Sequence, residues 1–275
     1  MIVTVKSKNN PFNNISVLID VIKRSIENVD DYVEEILICD EGDFEREVKI
    51  KDRLINITKM LGVSILGKTI SGPHGLVILL TSNIVENFYN NINILNNNIT
   101  YTNNSLIALR TIFHEIGHAK NNYENGVIVI REIAHNYEEM LNELWNILRD
   151  EYIAEMCCAN IIKLHNSIEW YGDFNDDIES ENYECYLSHY LNAGVEIDGN
   201  IALQLMHQYY FINLFQKAGF LESTSKFLSI DNIKTCQTIQ DILNCKVMEN
   251  YSVPSNFNDI VLRKWGDFNI ERKLN

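Results

Sequence analysis

The segment Thr111-Ile112-Phe113-His114-Glu115-Ile116-Gly117-His118-Ala119 decides how this chain is read. It carries His-Glu-x-x-His within a run whose apolar residues, Leu106, Leu109, Phe113 and Ile116, recur at helical spacing. A helix over 105–121 is predicted, with Ser105 or Asn104 capping its start. Two histidines four residues apart stand one above the other on a helix, so both imidazoles can reach one metal ion. Glu115, beside the first of them, is placed to act as general base on a water held by that ion. Gly117 lets a neighbouring element approach between the two histidines. In a chain with 7 histidines among 275 residues, the motif arises by accident in roughly one case in a hundred. A purely structural role would bury three polar groups that all need partners.

A tetrahedral catalytic zinc needs a third protein ligand and an open fourth position. Glu151, in Arg149-Asp150-Glu151-Tyr152-Ile153-Ala154-Glu155, comes first, because Glu155 lies on the same helix face one turn later. A carboxylate there can accept the N–H of a ligating imidazole and fix its tautomer. Glu124, six residues past His118, is the alternative third ligand. It stands where the metzincin pattern places that ligand, but the glycine of the pattern is Asn121 here. Oxyanion stabilisation calls for one more donor, for which Tyr152, His189, Tyr190, His207, Tyr209 and Tyr210 are candidates, His207 the first among them.

Composition narrows the setting. With 23 Lys+Arg against 38 Asp+Glu the formal net charge is −15, which argues against nucleic acid and anionic membranes as partners. The apolar runs at 76–80 and 127–130 are too short to span a bilayer, and no basic segment followed by an apolar stretch opens the chain. Six cysteines lack Cys-x-x-Cys spacing, and the vicinal pair Cys157–Cys158 suits a disulfide framework poorly. Reduced thiols, and a cytoplasmic location, are the expectation.

Outward from the motif, the pattern is α+β. Short β-like runs at 2–5, 35–39, 63–65 and 75–81 alternate with helical patterns at 15–28 and 50–61. The Asn-dense stretch 87–104 reads as a surface loop with one short strand at most. Beyond it the period is helical, at 105–121, 135–165, 183–193, 200–217 and 231–245, with a packed tail after 251. A small N-terminal mixed sheet with helices therefore precedes a helical C-terminal half.

His114-Glu115-x-x-His118 followed by Glu151-x-x-Ala154-Glu155 resembles the gluzincin metallopeptidases, and is most similar to the intracellular ImmA/IrrE-type metallopeptidases. The likeness covers about residues 76–159. It implies a zincin-like fold over 1–165; by its helical period 166–275 reads as a region packed on that core, and with no Pro- or Ser-rich linker between them the two also read as one continuous domain. It also implies zinc on His114, His118 and Glu151, with Glu155 behind a ligating histidine and Glu115 as general base. The strand at 75–81 would be the sheet edge beside the motif helix, to which an extended peptide could pair. The implied activity is hydrolysis of peptide bonds in a protein or peptide substrate, a regulatory protein among the candidates, by a zinc-activated water. The alternative is a catalytically silent binding or regulatory module of the same fold. Glu155 departs from the family, which commonly has an amide or Asp there, and residues beyond 173 match no known pattern.

Overall fold

The computed structural model describes residues 1–7, 15–49, 65–95, 98–126, 137–163 and 230–244. It is an α+β structure built on a four-stranded mixed sheet near the N-terminus. The described elements run β1 (Ile2–Val5), α1 (Ser16–Ser25), β2 (Val33–Cys39), α2 (Glu41–Lys49), β3 (Gly67–Ser71), β4 (Leu76–Thr81) and α3 (Ser82–Asn90). A hairpin of β5 (Ile92–Leu95) and β6 (Asn98–Tyr101) leads into α4 (Asn103–Asn125), then α5 (Tyr137–Lys163) and α6 (Ile230–Asn244).

The sheet order is β1-β2-β4-β3, with β1, β2 and β4 parallel and β3 antiparallel to β4. Parallel strands covered on both faces read as continuous apolar runs. Leu76-Val77-Ile78-Leu79-Leu80-Thr81 is such a run, and all six residues are buried. This corrects the expectation that 75–81 is a sheet edge: β4 lies between β2 and β3, and among the described strands β3 is the outer one. Residues 63 and 64 of the strand expected at 63–65 lie outside the described residues, and β3 at Gly67–Ser71 was not anticipated because a glycine and a lysine hide it from an apolar pattern.

Strand alternation sorts the two faces of the sheet. Leu37, Cys39, Val77 and Leu79 pack with Phe44 and Val48 of α2, joined by Ile65 and Ile70. The register pairs Gly67 with Leu80 and Thr69 with Ile78, so Gly67 and Thr69 look to the opposite face. That face carries α4, which packs against β3, β4 and α3.

Two further expectations change, and one helix was not anticipated. The stretch 87–104 holds the end of α3 and both strands of a hairpin rather than a loop. Helix α2 has too few apolar residues to stand out, since only Phe44 and Val48 of it are buried hydrophobics. The motif helix begins two residues early, capped by Thr102, whose side chain accepts from the Ser105 N–H while the Ser105 hydroxyl accepts from the Thr102 N–H. At its other end Gly126, at φ 68°, takes the left-handed conformation that closes a helix. Leu106, Leu109, Phe113 and Ile116 are all buried, as their spacing requires. The helical patterns at 50–61, 183–193 and 200–217, and the tail after 251, lie outside the described residues.

The chain divides into two compact units. Residues 1–55, 64–128 and 153–170 form one, which holds the sheet, the motif helix and the C-terminal part of α5. Residues 56–63, 129–152 and 171–275 form the other, where Trp145, Ile147 and Leu148 of α5 and Cys236 and Ile239 of α6 are buried. None of the four described cysteines, Cys39, Cys157, Cys158 and Cys236, is in a disulfide. Among the described residues no helix is long and apolar enough to cross a membrane.

Candidate metal centre

Helix α4 brings His114, Glu115 and His118 together, with one ligand atom from each lying within 4.8 Å of the others. The Nε2 atoms of His114 and His118 face each other at 3.0 Å, the two rings edge to face at an interplanar angle of 90°. Two imidazole nitrogens each about 2.0–2.1 Å from a shared ion stand roughly 3 Å apart, so this pair needs little rearrangement to bind one. Both histidines are partly exposed, which leaves a path for an ion, while Glu115 is buried.

The opposite nitrogen of His114 is also engaged. Its Nδ1 lies 2.7 Å from Oε2 of Glu155, a carboxylate that is fully buried. With Glu155 ionised, Nδ1 donates the hydrogen bond, and the lone pair of the ring is left on Nε2, where a metal would be held. Burial pushes the Glu155 carboxyl up, but the charge of Arg110 and the hydrogen bonds from His114 and Arg110 outweigh it and hold it below its ordinary value.

Close helix approach makes the contact possible. A Cβ at position 117 would stand 2.7 Å from the carbonyl oxygen of Ala154 and 2.8 Å from its Cα. Only glycine lets the backbone of α5 come this near α4 between the two histidines, and Glu155 follows directly in the chain. On the other flank, β3 reaches Glu115. The Thr69 hydroxyl lies 3.0 Å from Glu115 Oε2 and 2.7 Å from the Glu115 carbonyl oxygen, and can donate to either. Gly67 makes room for the same side chain, since a Cβ there would sit 2.7 Å from Glu115 Cγ.

Glu151 is buried on α5, one turn before Glu155, and is not a member of the close group formed by His114, Glu115 and His118. Helix α4 continues unbroken through Asn121, and Glu124 near its end is exposed and pairs with Lys120 at 3.7 Å. Tyr152 is buried, and burial raises its phenol. His207, with His189, Tyr190, Tyr209 and Tyr210, lies outside the described residues.

Sequence reasoning missed Arg110, Thr69 and Gly67. Arg110 did carry a signal, being four residues before His114 and so on the same helix face. Thr69 is 46 residues from Glu115 and carried none. Comparison with known protein families, curated proteins and solved structures finds no match for this chain.

Proposed function

We propose that the chain is a zinc-dependent peptidase in which His114, His118 and Glu151 hold the metal and Glu115 is the general base. The observation that carries this reading is the convergence of two Nε2 atoms 3.0 Å apart, one of them backed by a buried carboxylate, beside the Glu115 side chain. The donor set suits zinc, which takes imidazole nitrogen and carboxylate oxygen and keeps one position open in catalytic sites. Glu151 is assigned as third ligand because it precedes Glu155 by one turn on the same helix. When bound, zinc supplies a Lewis acid able to acidify water and to polarise a peptide carbonyl.

The protein's own groups account for the rest. Glu115 accepts a proton on its carboxylate from the attacking water and returns it to the leaving amine nitrogen. Thr69, on the outer strand, steadies that carboxylate from one side. Among the described strands β3 is the outer one, next to β4 and beside Glu115, and it is the strand along which an extended peptide would add by backbone hydrogen bonding. The gluzincin resemblance of the His-Glu-x-x-His and Glu-x-x-Ala-Glu segments supports the same assignment.

Elemental analysis of protein purified without a His tag, together with cleavage of a proteome-derived peptide library, tests the proposal. Wild type and Glu115→Gln should each hold one zinc, and only wild type should cleave. Zinc-free protein after exposure to the metal, or equal turnover by both chains, would overturn it. Stoichiometric zinc with no cleavage by wild type would instead mark a silent binding module.

A further inference from the structure

Arg110 lies one turn before His114 on α4, with its guanidinium turned to the same partner on α5. Its Nε and Nη2 both lie 2.7 Å from a single oxygen of Glu155, Oε1. The other oxygen, Oε2, is the one 2.7 Å from His114 Nδ1. The Glu155 side chain is wholly buried and that of Arg110 is 24% exposed. One turn on from Glu155, the Cys158 thiol lies 3.5 Å from the Arg110 carbonyl oxygen and donates to it, so α5 holds the backbone of Arg110 as well as its side chain.

A carboxylate at the end of a glutamate can turn about its last bond and offer either oxygen at a range of angles. Two N–H groups of one planar guanidinium on Oε1 remove that freedom, which a single ammonium would not do. We propose that Arg110 is a positioning residue for the metal centre: by gripping Oε1 of Glu155 it aims Oε2 at His114 Nδ1, and so sets the tautomer and direction of the ligating ring. The inference rests on the proposed metal site for its purpose, but the tautomer is a property of the metal-free chain and is measurable by itself.

The experiment uses the full chain with isotope-labelled histidine and long-range proton–nitrogen NMR at a pH where imidazole is neutral. Metal-free wild type should show His114 protonated on Nδ1. Arg110→Met should shift it toward the Nε2–H form, and titration with zinc alone against a chromophoric chelator should show affinity about 10–100-fold weaker. Arg110→Lys keeps the charge with a single donor nitrogen, and covers the case in which Arg110→Met does not fold. It should lose several-fold in affinity, with a mixed tautomer. Wild-type tautomer and wild-type zinc affinity in a folded Arg110→Met, or in Arg110→Lys, would overturn the proposal. A wild-type chain that takes up no zinc but shows the Nδ1–H tautomer, lost in the variants, would refute the metal reading and leave the role of Arg110 on His114 standing.

Discussion

The motif helix is held from two sides by unlike means. On the α5 side, His114 meets a fully buried carboxylate that is itself gripped by a guanidinium, and Gly117 lies against the backbone of Ala154. On the β3 side, Glu115 meets one neutral hydroxyl and the bare backbone of Gly67. The contrast fits the two tasks proposed for these residues. A metal ligand must keep one orientation, which a buried charged network enforces because any rearrangement strands a charge. A general base must gain and lose a proton, and a hydroxyl that can donate to the Glu115 carboxylate or to its carbonyl can follow that change.

Substitutions on each side should separate these roles. The largest effect is expected from Glu155→Ala, which leaves Arg110 without its buried partner. It should cost about 3–5 kcal/mol in urea unfolding and abolish tight zinc binding. Next is Gly117→Ala, whose methyl group meets backbone that cannot rotate away. A loss of about 1–3 kcal/mol, with weakened zinc uptake, is expected from the forced separation of α4 and α5. On the β3 side, Thr69→Val should cost about 1 kcal/mol. Its zinc affinity should stay at the wild-type level while peptide turnover falls. Equal loss of zinc in Thr69→Val and Glu155→Ala would erase the distinction between the two flanks. The smallest effect is expected from Lys120→Ala, which removes only the exposed pair with Glu124 and should change stability by less than about 0.5 kcal/mol.

A pH series sharpens the same comparison. The Glu155 carboxyl is held below its ordinary value of 4.5, so the folded chain binds less proton there than the unfolded chain does. Its contribution to stability is complete above that value and is lost as pH falls through the lower, folded value. Urea midpoints of the metal-free chain measured below about pH 4.5 should therefore decline more steeply in wild type than in Glu155→Gln.

Much of the centre is written locally. His114, Glu115 and His118 lie within one helical turn, and the apolar period around them dictates which side is buried. Glu155 could be anticipated because it follows Glu151 by four residues, a spacing that any helix converts into a shared face. Arg110 was visible in the same way beside His114, but its partner is 45 residues distant, and no local period links the two. Helix α2 and strand β3 escaped because polar residues dominate them, one lying outside the sheet and the other at its edge.

The sequence by itself determined the α+β class, the motif helix and the identity of its three converging side chains, because helical spacing follows from backbone geometry alone. Tertiary structure decided which strand borders the centre, through the antiparallel pairing of β3 on β4. It also decided which nitrogen of His114 is left for a metal, through a carboxylate brought in from another helix. Such contacts depend on how elements pack, and packing turns here on Gly117, where the missing side chain sets how near α5 can come.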